Sequence, residues 1–150
     1  MGKPRPPIQL KELNQDNYKE VLRLSVAEDQ KGFVASNAIS IAQAHFEKQA
    51  WFRGIYRDEV AIGFVMLDIN IEKPEYYLWR YMIDKKHQGK GYGLKALELI
   101  IDHVRALPKA TNFLLSYVPG PGEPKGFYEK LGFVETGEEE DGEKIMRLTL

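Results

Sequence analysis

The chain has 150 residues, 43% of them hydrophobic and 29% charged, with a formal net charge of −1 and no cysteine. That balance speaks against a general nucleic-acid binder, and the absence of thiols excludes disulfides, thiolate catalysis and cysteine-held metal. The length suits one domain, 1–150, with a respectable core. His45, His87 and His103 show no metal-ligand spacing, so no metal site is expected. No run approaches the length of a membrane span, and MGKPRPPIQL lacks the apolar region of a secretory signal. The expected location is therefore cytoplasmic, with no membrane and no nucleic-acid partner.

IQLKEL reads as a short first strand. Asn14 to Asn17 supply helix-start chemistry for a segment with Tyr18, Val21, Leu22 and Ser25 at helical spacing. VAEDQKGFVAS, residues 26–36, reads as a loop or a pair of short helices, and a second helix is expected from Ser40. WFRGIYR and VAIGFVMLDIN, joined at Asp58 and Glu59, form a hairpin. In its second strand Val60, Ile62, Phe64 and Met66 share one face, and Ala61, Val65 and Leu67 the other. A strand apolar on both faces is central and covered on both sides.

YYLWRYMID adds a further strand, followed by the glycine-rich DKKHQGKGYG. The next helix turns Leu94, Leu97, Ile101 and Val104 inward and Lys95, Glu98, Asp102 and Arg105 outward, and Pro108 ends it. NFLLSYV is a strand and GPGEP a loop, after which Pro124 opens the helix KGFYEKL. Gly132 is the expected left-handed stop of that helix. The last segment folds back on itself at Asp141-Gly142. The order β-α-α-β-β-β-α-β-α-β-β predicts an α/β (α+β) fold, a mixed sheet of about seven strands with helices on both faces.

The glycine loop carries the chemistry. It lacks the hydroxyl that follows Gly-Lys in a P-loop, and its G-x-G-x-G spacing puts Leu94 where a dinucleotide fingerprint needs glycine. What remains is a run of backbone N–H groups opening a helix among lysines, a site for phosphate anions. Gln88-Gly89-Lys90-Gly91-Tyr92-Gly93 matches the Q/R-x-x-G-x-G/A signature, and GFYEKLGFVETGE, residues 126–138, matches the closing helix and strand of the same family. On both motifs the chain resembles the GNAT superfamily of acetyl-CoA-dependent N-acetyltransferases, across nearly its whole length.

The resemblance implies a mostly antiparallel sheet and an acetyl-CoA cosubstrate. Its pantetheine arm would lie along Tyr81, Met82 and Ile83 like an added strand. Its pyrophosphate would sit on Gln88, Gly89, Lys90, Gly91, Tyr92, Gly93 and Leu94. Lys85, Lys86 and Lys90 would supply a long-range field. Tyr128 takes the place of the tyrosine that protonates the leaving thiolate, and an oxyanion donor is expected among the backbone N–H groups near Met82 or Ile83. Two departures stand out. PGPGEP lacks the asparagine many relatives carry before the tyrosine helix. The strand before the loop has no glutamate beyond Glu75 at its edge, so the base is unassigned.

VAEDQKGFVAS and GFYEKLGFVETGE also resemble spermine/spermidine acetyltransferases within the family. That likeness implies a polyamine acceptor, its cationic end paired with Glu28 and Asp29 beside walls from Phe33, Trp79 or Tyr81. Other acceptors stay open: an amino acid, an aminoglycoside or a protein amine. A non-catalytic acetyl-CoA-binding module is the reading from another class. Dimers are common in the family, which makes a homodimer the candidate assembly.

Overall fold

The computed structural model describes residues 7–31 and 35–150. In chain order the elements are β1 (Ile8–Lys11), α1 (Tyr18–Leu22), α2 (Asn37–Phe46), β2 (Ala50–Arg57), β3 (Val60–Asn70), β4 (Glu75–Ile83), α3 (Tyr92–Arg105), β5 (Asn112–Tyr117), α4 (Lys125–Glu129), β6 (Val134–Glu140) and β7 (Glu143–Thr149). Single helical turns lie at Glu28–Gln30 and Lys85–His87. The strands form one seven-stranded sheet in the order β1-β2-β3-β4-β5-β7-β6. Every neighbouring pair is antiparallel except β4 and β5. A parallel pair needs a crossover, and α3 is that crossover.

Helices cover both faces. Against α3 and α4 pack Ile55, Ile62, Val65, Leu67, Tyr76, Leu78, Phe113, Leu115 and Met146. On the side of α1 and α2, Val21, Tyr56, Phe64, Met66 and Met82 form a second core. β3 is buried on both sides, as its two apolar faces require, but Ile62 lies with Val65 and Leu67 rather than with Phe64 and Met66. The reason is a bulge: Ile55 pairs with Gly63 and Tyr56 with Ala61, so Ile62 is an extra residue that inverts the alternation.

A second bulge lies in β4. Met66 pairs with Arg80 and Leu67 with Leu78, leaving Trp79 unmatched. Before it Tyr76 and Leu78 face α3; after it Tyr81 and Ile83 do. One inserted residue thus lets even and odd positions of one strand feed the same core.

The second helix begins at Asn37, three residues before the Ser40 that helix-start chemistry singled out. Ser36 has the extended backbone of a cap and its side chain accepts from the Ile39 N–H at 3.2 Å. Ser40 is instead buried inside the helix, its hydroxyl donating to the Ser36 carbonyl at 3.1 Å. On α3 the buried stripe is Ala96, Leu97, Ile100, Ile101 and Val104, with Leu94 only half-buried near the loop. Gly132 has φ of 98°, and Asp141 and Gly142 have φ of 52° and 79°, the two left-handed residues of a tight hairpin turn.

Ile100 is fully buried at the centre of the α3 stripe. Its truncation to alanine should cost about 2–5 kcal/mol, read as a lower denaturation midpoint at constant slope.

Candidate active site

β4 and β5 are joined at Tyr77↔Leu114 and Leu78↔Leu115 and nowhere else. Beyond Leu78 the two strands diverge, and residues 79–83 have β3 on one edge and no strand on the other. Main-chain groups on that edge are thus left without a strand partner. The divergence opens a cleft of about 1150 Å³ through the sheet. Its walls include Tyr81, Met82 and Ile83 of β4, Gln88, Gly89, Gly91, Gly93 and Leu94 beside α3, and Tyr128 of α4.

The glycine loop is open on its outer side. Gly89 and Gly91 have φ of 76° and 82°, which an L side chain rarely adopts. A Cβ at either would meet nothing within 4 Å. Their bare backbone therefore faces open space rather than protein, and the first N–H groups of the 14-residue helix α3 lack intrahelical acceptors. Lys85, Lys86 and Lys90 are exposed around this mouth.

Three side chains brace the loop. Asp84, 6% exposed, accepts from the Ser25 N–H at 2.9 Å and from the Lys86 N–H at 3.2 Å. The Gln88 side-chain amide donates to the Ile83 carbonyl and to Gln30 Oε1, both at 2.8 Å. It is turned into the protein, leaving the loop's backbone to face the cleft. Tyr81 donates its hydroxyl to the Gly93 carbonyl and stacks on Phe127 with ring centroids 6.2 Å apart.

Tyr128 is the buried residue of α4, 9% exposed, with Phe133 and Phe127 edge-on at 5.9 and 5.4 Å. Helical spacing suggests Phe127 and Leu131 as the inward pair, yet both are only half-buried. A five-residue helix has no stripe of its own, and its roll is set by tertiary ties. Glu135 of β6 takes the Tyr117 hydroxyl and pairs with Lys125 at 3.5 Å. Among the described residues the Tyr128 hydroxyl has no hydrogen-bond partner, and burial alone pushes its pKa up to about 12. Tyr81 is also pushed well above the ordinary tyrosine value, by burial first and then by Tyr128. Of the two neighbouring phenols only Tyr128 is uncommitted.

The other wall of the cleft is acidic. Asp68, Tyr77, Trp79, Arg80, Glu140 and Glu143 line it. Glu28 and Asp29 are not among the lining residues, although Val26 and Gln30 beside them are. Glu28 is exposed and pairs with Lys31 at 2.7 Å. Phe33 lies outside the described residues. Glu75 is exposed at the start of β4, the end of the strand farthest from the loop. Asp68 escaped notice in the sequence although it is the one charged residue of VAIGFVMLDIN, a strand otherwise fit for burial on both faces.

The acetyltransferase (GNAT) family model matches residues 9–133. The chain belongs to that family. A probable spermine N(1)-acetyltransferase of Bacillus subtilis subsp. natto is 31% identical over 149 residues, covering 93% of this chain and 96% of the relative. The spermine/spermidine N(1)-acetyltransferase of Bacillus subtilis strain 168 is 30% identical over the same share. Among solved structures, an acetyltransferase of Thermus thermophilus superposes with TM-score 0.77 at 12% identity, covering 98% of this chain and 100% of that one. The N-acetyltransferase PaiA of Thermoplasma acidophilum, solved in complex with coenzyme A, gives TM-score 0.65 at 18% identity over 95% of this chain and 99% of that one. This GNAT member is an acyltransferase with the family's mixed α/β sheet.

The Tyr128 pKa makes a checkable statement about stability. The group is raised from 10.0 to about 12, so its contribution is fully present below pH 10 and is lost as pH climbs through 12. Two pH units correspond to on the order of 2–3 kcal/mol. Other raised tyrosines act in the same window, so the quantity to measure is a difference. Wild type should lose more stability than Tyr128→Phe between pH 9 and 12, and the tyrosinate absorbance rise near pH 12, which Tyr56 shares, should be smaller by one phenol in the variant.

Proposed function

We propose that this acyltransferase moves the acetyl group of acetyl-CoA to a primary amine, most readily a polyamine such as spermidine or spermine, in a ternary complex. The observation that carries the reading is the cleft between β4 and β5, which joins an unpaired strand edge, an open glycine loop and an uncommitted phenol. The polyamine acceptor is supported by the two Bacillus subtilis relatives named for spermine and spermidine.

The residues fit such a cosubstrate, which supplies an activated thioester. Main-chain groups of residues 79–83 accept the pantetheine amides as a strand would. Backbone N–H groups of residues 89–94 bind the pyrophosphate, helped by the α3 dipole and the exposed lysines. An N–H near Met82 or Ile83 on the same free edge stabilises the oxyanion as the amine adds to the carbonyl carbon. When the carbon–sulfur bond breaks, Tyr128 donates its proton to the sulfur. The ammonium proton of the adduct leaves to water, and Tyr128 regains a proton from solvent as the products depart.

The protein should release free CoA from acetyl-CoA in the presence of amines, detected by a thiol reagent. Spermidine should have a higher kcat/KM than a neutral or anionic monoamine. Tyr128→Phe should lower kcat about 10²–10⁴-fold with little change in acetyl-CoA affinity. No thiol release with any amine would leave a binding module as the reading. Parental turnover by the variant across pH 6–9 would make Tyr128 structural.

Gly91→Val should raise the KM for acetyl-CoA at least tenfold, about 1.4 kcal/mol. Its side chain would fill the open space above the loop and force a left-handed backbone costing about 1–2 kcal/mol. An unchanged KM in a folded variant would remove the loop from the cosubstrate site.

A further inference from the structure

The cleft passes through the sheet, so its two walls lie on opposite faces. The glycine loop and Tyr128 stand on the α3 side, in or against the core that holds Tyr81 and Ile83. On the other side, Asp68 of β3 stands directly opposite Tyr77 of β4, where β4 still pairs with β5. Asp68 has one carboxylate oxygen, Oδ1, buried without a hydrogen-bond partner. A buried acceptor left unmatched costs free energy that an arriving donor recovers.

The charges around Asp68 are of its own sign. Burial first, then Glu47 before β2, then Glu75 of β4 push its carboxyl above the ordinary range. Arg80 is the nearby cation among the lining residues; its Nε, like Asp68 Oδ1, is buried without a partner, yet no hydrogen bond or ion pair joins the two. Its guanidinium donates to the Trp79 carbonyl at 3.0 Å and to Gln43 Oε1 at 3.4 Å, and Glu143 is its charged neighbour. Among the described residues Asp68 forms no ion pair. The site is therefore a carboxylate, in a cleft wall, short of a cation.

We propose that Asp68 holds a second ammonium of a diamine or polyamine acceptor while the first amine reacts, and so sets acceptor selectivity. This rests on the amine-acetyltransferase reading above. The spacing fits a charged chain rather than a lone amine. Met82, near the proposed oxyanion donor, pairs with Phe64, four residues from Asp68 on β3, so the reacting amine stands about 13 Å from Asp68 at the rise of a strand. An alkyl spacer bridges that gap; a single ammonium does not. Glu140 and Glu143, across the cleft mouth on the β6–β7 hairpin, extend the same negative wall for a longer polycation.

The test compares two amines of like chain chemistry, spermidine and butylamine. Asp68→Asn preserves shape and removes the charge. The ratio of kcat/KM for spermidine to that for butylamine should fall at least tenfold, through the spermidine KM. Glu47→Gln, at an exposed position whose charge acts on Asp68, should move the ratio the same way by about two- to threefold. It decides the matter should Asp68→Asn fail to fold. An unchanged ratio in the variants, or an equal proportional loss on both amines, overturns the Asp68 site while leaving the acetyltransferase reading intact. Wild type that releases no thiol with either amine, yet binds acetyl-CoA, overturns the amine reading and this site with it.

Discussion

Everything about the cleft depends on how little of β4 is paired with β5. Two register positions hold the halves of the sheet together, at Tyr77 and Leu78. Full pairing would have consumed the main-chain groups of residues 79–83 and closed the sheet. With no pairing, β5, β7 and β6 would be a separate sheet and α4 would have no fixed distance from β4. The short parallel contact, backed by Leu78, Leu115 and the buried stripe of α3, fixes an opening without filling it. An unpaired strand edge is ordinarily a liability in water. Here it lies inside the cleft, walled by the glycine loop and α4, which keeps another sheet edge from reaching it.

The bulge at Trp79 completes the arrangement. Without it, the parity that puts Tyr76 and Leu78 into the α3 core would carry Arg80 and Met82 there as well. The extra residue sends Tyr81 and Ile83 to that core instead, where the Tyr81 hydroxyl ties β4 to the carbonyl of Gly93 at the start of α3. It returns Met82 to the α1 and α2 core, and leaves Trp79 and Arg80 on the wall shared with Asp68. One inserted residue therefore separates the face that carries the glycine loop and Tyr128 from the face that carries Asp68 and Arg80. The charge distribution follows the same division: exposed lysines at the loop, carboxylates at the hairpin, and a net charge of −1 that conceals both.

What could be read in the sequence and what could not divides along local and non-local physics. Glycines at 89 and 91 and the Asp141-Gly142 turn are local patterns that the structure keeps, and the α3 stripe keeps Leu97, Ile101 and Val104 while leaving Leu94 half-buried. The bulges at Ile62 and Trp79 depend on which residue a neighbouring strand offers, and no single-strand alternation reveals that. Ser36 and Ser40 carry the same cap chemistry, and only the extended backbone at Ser36 distinguishes them. The roll of α4 rests on tertiary contacts, Phe127 against Tyr81 of β4 and Tyr128 against Phe133, which helical spacing alone does not reveal. Asp68 was legible as a lone charge in an apolar strand, but the acidic company that makes it notable arrives from the end of α2, β4 and the last hairpin only on folding.

Burial that lifts the Tyr128 phenol to about 12 works, taken alone, against its use as a proton donor. A free thiol ionises near 8.5, so against a thiolate in water the transfer would run uphill by about 3.5 pH units, or on the order of 4–5 kcal/mol. A thiolate born in the same cleft does not have water's help. Desolvation raises the basicity of every anion it touches, sulfur as well as oxygen. The two shifts act in the same direction, so the gap between donor and acceptor is narrower inside the cleft than the solution values imply. A phenol at ordinary pKa would be partly ionised at the alkaline pH that deprotonates an alkylamine near 10.4. Held near 12, it keeps its proton through that range. On the proposed mechanism, the aromatic shell of Phe127 and Phe133 would do for proton supply what the open β4 edge would do for binding: withhold water from a group until the reacting partner replaces it.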